Sequence, residues 1–144
     1  MKPVQIDLVL IDDDSDEAEL ILRALKKINI TENLLCFSNG EEALTYLFQS
    51  GNNTFPKLIL LDLKMPLVDG FEILKKLKND PERKVIPVVA LSSSQERQDI
   101  HQAYNLGANA YVVKPVDYSE FNEALVQIVR FWLSLNQTPG LSGI

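Results

Sequence analysis

The sequence predicts an α/β fold, five parallel strands in one sheet with helices on both faces. Three observations predict it. Short apolar runs recur at 8–11, 58–61, 88–91 and 110–113, long enough for strands and too short for helices. Stretches with apolar residues at helical spacing lie between them. The runs at 8–11 and 58–61 are apolar at every residue, the pattern of strands buried on both faces.

Leu8 to Ile11 is the first strand, and it ends in Asp12, Asp13 and Asp14. Ser15 to Ile28 follows as a helix with Ala18, Ile21, Leu22, Leu25 and Ile28 inward. Asp14 and Glu17 have the spacing of an N-cap and its reciprocal partner. Leu34 to Phe37 is a second, weaker strand, and Ser38, Asn39 and Gly40 turn into a helix from Glu41 to about Gln49. Residues 50–54 form a polar loop. The central strand, Leu58 to Leu61, runs into Asp62, and Pro66 ends regular structure soon after. Asp69 and Gly70 start a helix with Phe71, Ile73, Leu74 and Leu77 inward, and Asn79, Asp80 and Pro81 stop it.

Pro87 introduces a fourth strand, Val88 to Leu91. Ser92, Ser93 and Ser94 lead into a fourth helix that ends near Leu106 and Gly107. Ala110 to Val113 is the fifth strand, ending in Lys114 and Pro115. A last helix runs from about Ser119 to Leu135. The order is βαβαβαβαβα. Right-handed crossovers leave few topologies, and the flavodoxin-like (βα)5 order 2-1-3-4-5 is the natural one. We expect one domain over 1–144, with a core at about 5–133 and an extended helix end and loose tail over 134–144.

Composition narrows the function classes. The net charge is -6 and the pI about 4.8, which argues against nucleic-acid binding and against adsorption to an anionic membrane. Cys36 is the only cysteine, so no internal disulfide forms, and we expect it to be a small buried residue. No apolar run has the length of a membrane span, and the first residues carry no apolar signal region. The expectation is a cytoplasmic protein.

In the order 2-1-3-4-5, strands 1 and 3 are neighbours, roughly 5 Å apart. Their ends bring Asp12, Asp13 and Asp62 together, with Ser92 from strand 4 and Lys114 from strand 5. Carboxylates this close raise one another's pKa unless a cation sits among them. An all-oxygen set without His or Cys suits Mg2+ (or Mn2+). Lys114 is a compact positive charge and Ser92 a hydroxyl, both fit to meet phosphate oxygens. Asp62 in that setting can act as a nucleophile toward phosphorus.

These residues resemble the receiver domain of two-component response regulators. The resemblance is carried by Asp12 and Asp13, by Asp62 followed by Met65-Pro66 and Asp69-Gly70, by Ser92, and by Lys114-Pro115 after Tyr111. It implies that Asp62 accepts a phosphoryl group from the phosphohistidine of a sensor histidine kinase. It implies Mg2+ held by Asp13, Asp62 and the backbone carbonyl of Lys64, with Asp12 acting through metal-bound water. Ser92 and Tyr111 would be the switch pair, and the Lys114–Pro115 bond would be cis. Lys64 departs from the usual pattern by placing a basic side chain beside the phosphate, and Val116 stands where many relatives have Phe. The run Ser92 to Ser94, the stretch Lys114 to Tyr118, and Phe131 to Asn136 further resemble single-domain regulators that partner cyanobacterial and bacterial phytochromes. That makes a phytochrome the implied kinase.

Plainer roles compete for some of these residues. Helix capping accounts for Asp14 and one neighbour but not for three carboxylates. Ser93, with Glu96 three residues on, reads as a capping box. His101 has no companion ligand and reads as surface helix. In the last helix, Phe121, Ala124, Leu125, Ile128 and Trp132 form one stripe facing the sheet. Val126, Val129 and Leu133 form a second stripe turned away from it. With Tyr118, they predict a two-fold homodimer face on helix 4, strand 5 and helix 5.

The leading function is a stand-alone phospho-acceptor that signals by protein contact, not an enzyme with a substrate of its own. An Mg-dependent aspartyl-phosphate hydrolase is the alternative, but its second acid is absent, since Leu63 and Lys64 follow Asp62. A flavin carrier on the same fold would meet repulsion between Asp12 to Asp14 and the flavin phosphate. A receiver in a phosphorelay unconnected with light is the remaining alternative.

Overall fold

Alternation along the strands builds two cores from one sheet. A computed structural model of the chain describes residues 6–29, 33–49, 55–114 and 117–137. The strands are β1 (Leu8–Ile11), β2 (Leu34–Phe37), β3 (Leu58–Asp62), β4 (Val88–Ser92) and β5 (Ala110–Val113), all parallel, in the order β2-β1-β3-β4-β5. The flavodoxin-like expectation holds.

On one face Val9, Ile11, Ile59, Leu61, Val88 and Ala90 meet helices α2 (Gly40–Leu47), α3 (Gly70–Asn79) and α4 (Arg97–Asn105). On the other, Leu8, Leu10, Leu58, Leu60, Val89 and Leu91 meet α1 (Ser15–Lys27) and α5 (Tyr118–Arg130). Every residue of β1, β3 and β4 is buried, as strands covered on both faces must be.

Local chemistry sets the helix starts that matter here. Asp14 caps α1 by accepting from the N–H groups of Asp16 and Glu17. Asp69 caps α3 by accepting from Glu72 N–H at 3.0 Å. Gly70 is required next to it, because a Cβ there would lie 2.3 Å from the carbonyl oxygen of Asp62 and 2.6 Å from Leu63 Cα. The first turn of α3 is thereby pressed against the end of β3.

Several expectations need correction. Val129 is fully buried in the core with Phe121 and Leu125, so it is not part of an outward stripe. The buried line on α5 runs 121, 125, 129, a spacing of four that keeps one face inward, and Trp132 and Leu133 pack half-buried at its end. Val126 is half-buried. Cys36 is exposed, because β2 is an edge strand.

Ser93 does not cap α4. That helix begins only at Arg97, after an extended Glu96, and the hydroxyl of Ser94 accepts from Glu96 N–H instead. Past Arg130, α5 widens into a π turn over Phe131–Leu135, closed by the Asn136 N–H donating to Phe131 O. His101 is exposed on α4. The Lys114–Pro115 bond, Val116, the side chain of Tyr118 and the tail from 138 lie outside the described residues. No helix of the described residues is long and apolar enough to cross a membrane.

Candidate functional site

The site grows from register. Ile11 pairs with Leu61, so Asp12 and Asp62 leave the sheet side by side. Asp62 itself pairs with Leu91, and Ser92 with Val113, which places Ser92 and Lys114 on the neighbouring strand ends. The N–H of Lys114 donates to Ser92 O at 2.8 Å and fixes that edge of the crevice. These are the carboxyl ends of the strands, where α/β sheets present their ligand sites.

Asp12, Asp13 and Asp62 bring carboxylate oxygens within 4.8 Å of one another. Asp12 and Asp62 are buried and Asp13 is exposed. Asp12 Oδ1 accepts from Asp14 N–H at 3.0 Å, and Asp62 Oδ1 from Lys64 N–H at 3.3 Å. Lys114 Nζ stands 3.5 Å from Asp62 Oδ1 and also forms an ion pair with Glu17.

Burial, reinforced by the neighbouring carboxyl of Glu17, pushes Asp12 up to about 8. Burial also raises Asp62, against the pull of Lys114 and the Lys64 N–H. Burial alone would lower Lys114, but Glu17, Asp62 and Asp12 outweigh it and raise its pKa. Once ionised, Asp12, Asp13, Asp62 and Glu17 carry more negative charge than the one ammonium of Lys114 balances.

A divalent cation fits this set. Three carboxylates offer oxygen ligands at one point, and Asp12 Oδ2 is buried with no hydrogen-bond donor among the described residues. An orphaned buried carboxylate oxygen is costly unless a cation or a proton meets it.

Ser92 is buried, and its Oγ accepts from Ser94 N–H at 3.1 Å. Tyr111 packs half-buried against the core, and its hydroxyl donates to Ser94 O at 2.9 Å. Both residues proposed as a switch thus meet on Ser94, which sequence reading had left without a role. Glu17 belongs to the site as well, although its spacing from Asp14 fits a capping partner. The N–H of Asp14 goes to Asp12 instead, and the Glu17 carboxylate turns to Lys114. Its position five residues past Asp12, in the first turn of α1, was the available signal.

A doubly wound parallel sheet with an acidic crevice over β1 and β3 and a lysine at the end of β5 defines a class of signalling domain. The chain belongs to the response regulator receiver domain family, whose model matches residues 8–126. Receiver domains are phosphorylated by histidine kinases and bind Mg2+ or Mn2+ at an acidic pocket.

Individual relatives match over nearly their whole length. The chain is 33% identical to response regulator Rcp1 of Synechocystis sp. (strain ATCC 27184 / PCC 6803 / Kazusa) over 135 residues, covering 92% of each. The Mn2+-bound form of Rcp1 superposes with a TM-score of 0.83 over 93% of this chain and 99% of that one, at 33% identity. The phosphorylated cyanobacterial phytochrome response regulator RcpA gives 0.86 over 94% and 99%, at 37% identity. The probable methanogenesis regulatory protein FilR2 of Methanothrix harundinacea (strain 6Ac) is 33% identical over 135 residues, 92% of this chain and 87% of FilR2.

Proposed function

We propose that this receiver takes a phosphoryl group on Asp62 from the phosphohistidine of a sensor kinase of the phytochrome class, and passes the signal on by protein contact. One observation carries the reading. Asp62 ends the central strand within 4.8 Å of the Asp12 and Asp13 oxygens, with Lys114 Nζ 3.5 Å from its Oδ1.

An Asp62 oxygen attacks phosphorus, a P–O bond forms as the P–N bond breaks, and the histidine nitrogen leaves with the electron pair and is reprotonated. Lys114 offsets charge on the phosphoryl oxygens. Asp13, Asp62 and the Lys64 carbonyl would hold Mg2+, with Asp12 acting through a bound water. When bound, the ion supplies charge neutralisation at the transferring group. Ser92 Oγ offers the phosphoryl group a hydroxyl in exchange for its Ser94 contact, and Tyr111 follows because it is tied to the same residue. The likeness to RcpA over nearly the full length of both chains supports a phytochrome partner.

A homodimer through α4, β5 and α5 belongs to the same reading, on a narrower face than the sequence implied. Val126 and Leu133 are half-buried there, Tyr104 is 50% exposed, and Phe131 and Leu135 extend the apolar surface. Sedimentation of the wild type and Val126→Glu tests it. A dimer that dissociates in the variant is expected, and a monomeric wild type contradicts it.

Phosphotransfer from a phytochrome kinase, compared with a kinase of another sensor class, tests the partner. Rapid transfer from the phytochrome kinase alone is expected. Equal rates from both would remove the light-signalling part and leave a receiver of another phosphorelay.

A further inference from the structure

Lys64 follows Asp62 by two residues, and its N–H already touches the Asp62 carboxylate. Its side chain goes elsewhere. Lys64 Nζ lies 3.3 Å from Asp99 Oδ2 and 3.4 Å from Oδ1, and 5.5 Å from the centre of the Phe71 ring. Asp99 stands in the first turn of α4 and its side chain is only 15% exposed, whereas that of Lys64 is 58% exposed. One partner is fixed and the other is free to move. What fixes Asp99 is Ser94, whose Oγ donates to Asp99 Oδ2 at 2.6 Å. The Ser94 hydroxyl, with Lys64 adding to it, holds the Asp99 carboxyl below the usual carboxylate range. Ser94 is also the residue that meets Ser92 through its N–H and Tyr111 through its carbonyl.

We propose that Asp99 is a positioning residue that draws the Lys64 ammonium away from Asp62, so that Asp99 and a phosphoryl group on Asp62 compete for one cation. This rests on Asp62 being the phosphoryl acceptor. The physics is a competition between two anions. A phosphoryl group brings close to two negative charges and three acceptor oxygens to a point beside Lys64. Lysine is a point charge on a flexible stem and can change partners without rebuilding the backbone. When it leaves, α4 loses its ion pair to the β3–α3 loop, and Asp99 keeps only Ser94, the residue on which the contacts of Ser92 and Tyr111 converge. Linkage makes the effect mutual: whatever factor Asp99 takes from phosphoryl affinity, the phosphoryl group takes from the Lys64–Asp99 pair. The pair thus joins the crevice to the first turn of α4 through Lys64, and it meets the Ser92 contacts at Ser94.

A plain helix-capping role for Asp99 predicts something else, a loss of helix stability with no dependence on Lys64. The test is a double-mutant cycle on the affinity for beryllofluoride with Mg2+, a mimic of the phosphoryl group. Asp99→Asn is expected to tighten binding by about twofold to fivefold, the range of a partly exposed ion pair. Lys64→Met is expected to weaken it by a similar factor. In the Lys64→Met background Asp99→Asn should have no effect, and with Lys64 in place the charge-conserving Asp99→Glu should bind like the wild type. Unchanged or weaker binding in Asp99→Asn, or the same change with and without Lys64, would overturn the competition. Where Asp99→Asn unfolds, Lys64→Met alone decides, since affinity equal to the wild type contradicts the proposal. Asp62→Asn separates the two levels: binding that survives it means the acceptor assignment has failed, not the competition.

Discussion

Lys114 Nζ sits 3.5 Å from Asp62 Oδ1, the closest approach of a cation to that carboxylate among the ion pairs of the described residues. Glu17 shares the ammonium, so it is held rather than free. Lys114→Met is expected to weaken beryllofluoride binding by about tenfold or more, in line with the removal of one pre-placed charge from a phosphoryl site. Titration calorimetry with Mg2+ present checks it, and wild-type affinity in the variant would remove Lys114 from the site.

The raised pKa of Asp12 sets a pH dependence. A carboxyl at 3.8 in the unfolded chain and about 8 when folded binds more protons in the folded state between those values. Its contribution to stability is therefore full below about pH 4 and is lost as pH rises toward 8. In metal-free protein, the stability of the wild type relative to Asp12→Asn should fall across that window, measured by urea unfolding. Mg2+ should reverse the trend, because a cation needs the ionised carboxylates and displaces their protons, so its apparent affinity rises with pH. A wild-type advantage that grows with pH in the absence of metal would contradict this.

Gly70 holds the start of α3 against the backbone of Asp62. Gly70→Ala forces a methyl to within 2.3 Å of that backbone unless the helix shifts. A loss of about 1–3 kcal/mol in chemical denaturation is expected, the usual cost of overpacking, together with weaker Mg2+ binding because Asp62 moves. A variant as stable as the wild type would show that the loop yields freely.

Val129 and Val126 separate core from surface on α5. Val129→Ala should cost about 2 kcal/mol, since it is fully buried, and Val126→Ala under about 1 kcal/mol. Equal losses would contradict the packing of α5.

Much of this molecule is legible before folding because its signals are local. Leu8 to Ile11 and Leu58 to Leu61 are apolar without interruption, so burial on both faces follows, and strand order then places Asp12 beside Asp62. Asp14 and Asp69 announce their helices by chemistry within three residues. What stays hidden depends on distant partners. Glu17 has the right spacing for a cap, and only the fold shows that Lys114 is near enough to claim it. Lys78 donates to Lys84 O, Ile86 O and Asn109 Oδ1 and ties α3 to the start of β4, contacts that exist only once the chain has folded. The stripes on α5 misled because two apolar faces compete on one helix, and the sheet selects the line through Phe121, Leu125 and Val129. The roles of Ser94 and Asp99 stay hidden in the sequence, since they exist only where the β4–α4 loop meets Lys64 and Tyr111.

The most direct test of the central claim is to phosphorylate the protein from a phosphohistidine kinase in Mg2+ and map the label to a peptide. The account predicts label on Asp62 alone, and none on Asp62→Asn. Stable label on another residue in the wild type, or label retained at wild-type level by Asp62→Asn, would contradict it.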